Sequence, residues 1–176
     1  ENDAAAIRTV SAIPVSLGIF YWELQILNKG RDGHIGIGIG TGTVSLNRLP
    51  GWESQSIGWH GDDGFIFVGS GNGAPFGPCY STGDTVGCGV DFVNERIFFT
   101  RNAVIVGEVP IPSIDIQWFP MVGFRTPGEQ VTTNFDKPFL FDLEEYVARQ
   151  AFTIKNAIDS TSLLSYNYQN TTNDSQ

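Results

Sequence analysis

The side chains able to do chemistry are few and scattered. The 176-residue chain carries two histidines, His34 and His60, and two cysteines, Cys79 and Cys88. No C-x-x-C or H-x-x-x-H spacing joins them, so a structural metal is not expected. Asp62 and Asp63 form an acidic pair, and with Glu95 they supply the carboxylates a glycoside hydrolase would need. Neighbouring residues on a turn point apart, however, which favours turn formation and solvation for the pair. His34, at a turn, reads as a solvated residue rather than a general base. A G-x-S-x-G elbow is missing, so an acyl-transfer triad has no nucleophile. The runs Gly36/Gly38/Gly40 and Gly69/Gly71/Gly73 have no helix after them and read as flat strand faces and loop turns, not as a dinucleotide cradle. Neither catalysis nor a cofactor is expected.

Binding is better served. Asn47, Arg48, Leu49, Pro50 and Trp52 stand in one stretch, Trp59 beside His60 in another, and Arg125, Thr126 and Pro127 in a third. Trp and Arg dominate binding hot spots, and loops on a rigid frame are where function is carried. Against this, Trp52 and Trp59 could simply close the edge of the core, because large aromatics are mostly buried. The net charge of −9 argues against nucleic acid as the partner, since no basic stripe with interleaved aromatics exists. No apolar run approaches a membrane span, and no signal peptide opens the sequence. The two cysteines read as reduced core residues of a cytosolic protein, with a bridge between them left open.

The elements that must position these residues are strands. Residues 18–40 set the pattern: Phe20, Trp22, Leu24 and Ile26 alternate on one arm, Ile35, Ile37 and Ile39 on the other. Asn28-Lys29-Gly30-Arg31-Asp32-Gly33 between them has turn chemistry, so the segment reads as a β-hairpin with one core face. Residues 7–15 read as a short extended piece and 41–52 as a loop that crosses the fold. A second hairpin is expected over 57–67 around Asp63-Gly64. An irregular surface loop over 69–82 follows, then strands near 84–91, 96–101, 104–109, 117–124 (interrupted by Pro120) and 130–135. Strands recurring every few residues with turns between them predict an all-β antiparallel sandwich or barrel. One helix is expected, over 142–158, capped by Asp142 with Glu145 completing the box. From residue 159 to 176 the Ser/Thr/Asn-rich chain reads as a polar, disordered tail, in which two glycosylation-like triplets at Asn170 and Asn173 are read as chance.

With these segments in view the chain resembles a SPRY domain, and more narrowly that of the RanBPM family, scaffold subunits of the GID/CTLH ubiquitin ligase. The resemblance rests on NKGRDG, NRLPGW, GDDG and RTPGE taken together, and it extends from about residue 4 to 147. It implies a bent antiparallel β-sandwich without a catalytic centre, which docks short segments of partner proteins through loops at one end. Carried across, the docking positions are Arg8 and Thr9, then Asn47 to Trp52, then Arg125 to Pro127. It also implies ubiquitin-ligase subunits or substrates as partners, and a cytoplasmic and nuclear location. Two departures stand out. The family has strand sequence before the alanine-rich start, so a truncated start or an exposed sheet edge is expected. The helical regions that follow the domain in the family are hardly suggested by residues 162–168. Secreted nematode proteins with SPRY domains near this subfamily make a host-targeting effector one alternative; a lectin-like sandwich using Trp52, Trp59 and the Asp62-Asp63 turn is another.

Overall fold

The computed structural model describes residues 3–173, with side chains through residue 159. Its strands in chain order are β1 (Ala5–Arg8), β2 (Ile19–Lys29), β3 (Ile35–Thr41), β4 (Ser56–His60), β5 (Phe65–Val68), β6 (Ala74–Pro75), β7 (Thr85–Asp91), β8 (Arg96–Arg101), β9 (Val104–Pro110), β10 (Trp118–Phe124) and β11 (Glu129–Asn134). They form two antiparallel sheets, a six-stranded one in the order β1-β10-β3-β4-β5-β6 and a five-stranded one in the order β11-β2-β7-β8-β9. The all-β sandwich expected from the sequence is the fold observed.

The facing inferred for residues 18–40 holds, but their pairing does not. Trp22, Leu24 and Ile26 point from β2 into the core, and Ile35, Ile37 and Ile39 meet them from β3. Yet β2 pairs with β7 and β11, while β3 pairs with β4 and β10. The segment is therefore a crossover between the sheets and not a hairpin. Two apolar rows opposed across a sandwich bury both sides at once, whereas in one sheet they would share a single face. Alternation reports which face is buried and is silent about the partner strand. The expected hairpins β4–β5, β7–β8 and β8–β9 do form. Pro120 does not interrupt β10: it lies within the strand opposite Ile39, and its carbonyl accepts the Thr9 N–H at 3.1 Å.

The outer face of β2 is covered as well. Tyr21 packs against Phe98, Phe139 and Phe141, with centroids 5.9, 5.1 and 5.1 Å away. Its hydroxyl donates to Glu23 at 3.0 Å and lies 2.7 Å from the Thr100 hydroxyl. Burial pushes the Tyr21 phenol well above its ordinary pKa, so it stays a donor. The segment 69–82 is not purely surface: Tyr80 is buried and its hydroxyl proton is shared between the Ile35 and Trp59 carbonyls at 2.8 and 2.9 Å. Cys88 is buried as expected, but Cys79 is exposed, its thiol donating to the Asp62 carbonyl.

Residues up to Phe141 make one compact unit, and those from Asp142 a second. The second is the helix α1 (Leu143–Asn173). Asp142 caps it, accepting the Glu145 N–H at 2.9 Å, and Arg149 pairs with Glu145 one turn on. The helix extends past residue 158 through the segment expected to be disordered, since residues 159–173 hold no Gly or Pro to break it. Of the expected tail, residues 174–176 lie outside the described residues.

Candidate functional site

The glycines of β3 decide how the site is built. With no side chain at Gly36 or Gly38, nor at Gly58 on β4 and Gly123 on β10, the sheet presents a bare strip on its outer face. The loop 41–52 lies down on that strip. A Cβ on Gly123 would sit 2.7 Å from Pro50 Cδ and 2.8 Å from Leu49 Cδ2, and one on Gly58 would sit 2.2 Å from the Pro50 carbonyl oxygen. Leu49 and Pro50, expected as docking residues, are consequently buried and serve as the loop's anchor. The residues on either side of them are the ones left outward. Asn47 is exposed, and its carbonyl accepts the Ala4 N–H at 3.2 Å, tying the loop to β1.

Trp52 is held at the end of this loop, half-buried, against Phe67 and His60 (centroids 6.2 and 5.7 Å). The guanidinium carbons of Arg48 and Arg125 lie 5.2 and 5.3 Å from its ring centroid. Two loops far apart in sequence are thus joined by one indole through cation–π contacts. The two cations differ in company. Arg48 is paired with Asp3 at 2.6 Å and with Glu53 at 3.4 Å. Arg125 has no carboxylate at ion-pair distance among the described residues. The indole N–H of Trp52 is buried and finds no acceptor there. Beside Arg125 runs an open groove of about 310 Å³, lined by Asp3, Ala4, Ala5, Phe124, Arg125, Thr126 and Pro127.

The turn carrying Arg125 is fixed by Glu129, whose carboxylate accepts the Arg125 and Thr126 N–H groups at 2.7 and 3.0 Å and the Thr126 hydroxyl at 2.5 Å. The crossover turn supports it from below. Arg31 donates its N–H to the Pro127 carbonyl at 3.3 Å, and Gly30, at φ +67°, lets Glu129 approach where a Cβ would stand 2.7 Å from its Cγ.

The other expected positions fall elsewhere. Trp59 is a correction: it is fully buried on the inward face of β4, edge-on to Tyr80, Phe76 and Phe99. Its alternation with Ile57 was the signal for that. Without Trp59 at the surface, a lectin-like aromatic platform loses half its members. Arg8 and Thr9 are not beside Trp52. Arg8 pairs with Met121, four residues before Arg125 along β10, or about 13 Å at strand spacing. There Arg8 lies 4.9 Å over the Phe119 ring and donates to the Thr41 carbonyl at 2.7 Å, while Thr9 donates to the Ser11 carbonyl at 2.9 Å. Asp62 and Asp63 sit on the β4–β5 turn, at the end of the sandwich where β2 crosses to β3. Glu95 is on the β7–β8 turn, at the end where β2 begins, so the carboxylates of a hydrolase do not converge. His34 is only a quarter exposed and pairs with Asp62 at 3.2 Å. Among the described residues no cluster of His, Cys, Asp or Glu could hold a metal ion, and no helix is long and apolar enough to cross a membrane.

His60, which the sequence did not single out, supports the loop from inside. It stacks on Phe67 at 4.2 Å, and its Nε2–H donates to the Pro50 carbonyl at 2.8 Å. Burial holds its pKa near 4 instead of the ordinary 6.5. An unfolded chain takes up that proton near 6.5, so the neutral imidazole's contribution is complete above 6.5 and is lost as pH falls towards about 4. Urea midpoints across this window should therefore drop by an amount equivalent to roughly 3 kcal/mol. His60→Gln should flatten that part of the profile, and an unchanged slope in the variant would place the titration elsewhere.

The comparisons with known proteins agree with this architecture. The SPRY domain family model matches residues 19–138. Ran-binding protein 9 of Xenopus laevis is 45% identical over 160 residues, which is 90% of this chain and 29% of that protein. The Drosophila melanogaster Ran-binding proteins 9/10 homolog is 48% identical over 81% of this chain and 15% of its own length. The Ran-binding protein M homolog of Arabidopsis thaliana is 35% identical over 92% of this chain and 35% of its own length. The chain thus spans about a third or less of these relatives. A crystal structure of a human SPRY domain superposes with a TM-score of 0.70 at 30% identity, covering 76% of this chain and 86% of that one.

Proposed function

The chain belongs to the SPRY domain family, and from that membership we propose that it is a non-catalytic protein-interaction module docking a short partner segment at Trp52 and Arg125. The observation that carries this reading is the Arg125 guanidinium, which has no ion-pair partner among the described residues. It lies 5.3 Å from the centroid of a half-buried indole and lines a groove that includes the strand residues Ala5 and Phe124. Arg and Trp in such a setting are hot-spot residues because their apolar faces are already packed while a polar group remains to be satisfied. Thr126 and Pro127 line the same groove, and Asn47 and Arg48 are tied to its lining residues Ala4 and Asp3. Arg8, at the end of β1 opposite Met121, holds the Thr41 carbonyl, Thr9 follows it and bonds to Ser11, and neither is assigned to docking.

The similarity to Ran-binding proteins 9 and 10 supports a finer proposal, that the module belongs to a scaffold subunit of a GID/CTLH-type ubiquitin ligase in the cytoplasm and nucleus. Capture from a cell lysate followed by mass spectrometry tests both levels. Trp52→Ala and Arg125→Ala, each confirmed to be folded, should lower recovery of the captured protein by about tenfold or more. Arg8→Ala should change it by less than about twofold. Undiminished capture by Trp52→Ala and Arg125→Ala would remove the site, and capture without any GID/CTLH subunit would remove the scaffold assignment while leaving the module.

A further inference from the structure

The turn that presents Arg125 contains chemistry that docking does not use. Thr126 is followed by Pro127, the only Ser/Thr-Pro dipeptide in the 176 residues. Pro127 and Arg125 are exposed and Thr126 is partly so. The Thr126 hydroxyl donates to one Glu129 oxygen at 2.5 Å and receives the Asp32 N–H at 3.4 Å. The other Glu129 oxygen takes the N–H groups of Arg125 and Thr126. A single carboxylate closes the turn, and one of its three bonds depends on a free hydroxyl.

We propose that Thr126 is a phosphorylation site for a proline-directed protein kinase, and that its modification opens the turn carrying Arg125. A Ser or Thr followed by Pro is the minimal substrate of that enzyme class, and here it stands on an exposed turn between two strands. The γ-phosphoryl group of ATP passes to Thr126 Oγ1 as its bond to ADP breaks, and the hydroxyl proton leaves to the kinase's base. The product has lost the donor that held Glu129 and has gained a near-dianion at hydrogen-bond distance from a carboxylate, an arrangement that repels. Asp3 and Asp32 are already paired with Arg48 and Arg31 at 2.6 and 2.8 Å, so the cation left to draw the phosphate away from Glu129 is the neighbouring Arg125. Glu129 must then turn away and release the Arg125 and Thr126 amides. The effect on partner capture rests on the docking reading; the modification and the opening do not.

The test uses the whole chain with ATP and a recombinant Ser/Thr-Pro-directed kinase. Tandem mass spectrometry should place phosphate on Thr126, with incorporation lower by about tenfold or more in Pro127→Ala. Glu129→Ala, which frees the hydroxyl, should be phosphorylated faster than the unaltered chain. In the phosphorylated protein, amide hydrogen exchange at Arg125 and Thr126 should quicken by about tenfold or more while β3 and β4 keep their protection. No phosphate on Thr126 in either the parent chain or Glu129→Ala would overturn the site. Phosphate on Thr126 with unaltered exchange at these two amides would overturn the opening. Neither result depends on a partner being found.

Discussion

Gly38→Ala should severely destabilise the fold. A Cβ at this position would stand 1.9 Å from the Ile57 carbonyl oxygen and 2.8 Å from Gly58 Cα, both backbone atoms of the neighbouring strand. Backbone in the middle of a six-stranded sheet cannot step aside as a side-chain end can, so β3 and β4 would have to part at their centre. That separation removes ladder hydrogen bonds and tilts Ile37 and Ile39 out of the core. The expected destabilisation exceeds about 3 kcal/mol, beyond the usual range for a single methyl group. Gly71→Ala is the matched comparison, because its Cβ would meet nothing within 4 Å; it should move the urea midpoint by the equivalent of less than about 0.5 kcal/mol. A Gly38→Ala protein that is soluble with a parental midpoint would show that the close approach of these strands is not required.

The second large effect lies on the opposite sheet. Glu23 is 4% exposed, and its carboxylate accepts the Leu140 and Phe141 N–H groups at 3.0 and 2.9 Å in addition to the Tyr21 hydroxyl. It pins residues 139–141 over Tyr21 and Phe98, so removal would strand backbone donors and loosen an aromatic cover together. Glu23→Ala should cost ~3–4 kcal/mol, whereas Glu23→Gln, which keeps one acceptor oxygen, should cost only ~1–2 kcal/mol. Denaturant titrations give the totals, and amide exchange at Leu140 and Phe141 locates them. Equal losses in the two variants would mean that packing, not hydrogen bonding, holds the segment.

Trp22, Leu24, Ile26 and the isoleucines of β3 announce their facing because a strand alternates with period two, and that facing holds. Their strand partners were hidden, since the same alternation suits a hairpin or a crossover. Leu49 and Pro50 looked like loop residues, and in chain order they are. Their burial follows from four glycines on three strands, Gly36, Gly58, Gly123 and Gly38, which come together only once the sheet is formed. Trp59 could have been assigned to the core from its spacing to Ile57. Arg48, Trp52 and Arg125 were legible as residue types on loops, and their convergence on one indole was not, because 73 positions separate Trp52 from Arg125. His60 and Glu129, which hold the two loops in place, carried no sequence signal beyond being polar near a turn.

The crossover from β2 to β3 also sets how the chain must fold. Because the first long segment contributes one strand to each sheet, neither sheet can be completed by neighbours in sequence. β1 and β3 need β10, and β2 needs β11, so both sheets are completed only by pairings between residues 5–41 and 118–134. Such a topology has high contact order, and it predicts slow, all-or-none folding with no autonomous half. The groove is made by residues 3–5 and 124–127, which belong to the two ends of that closure. The groove is therefore absent until residues 3–5 and 124–127 have been brought together, and a fragment lacking either segment should not contain it.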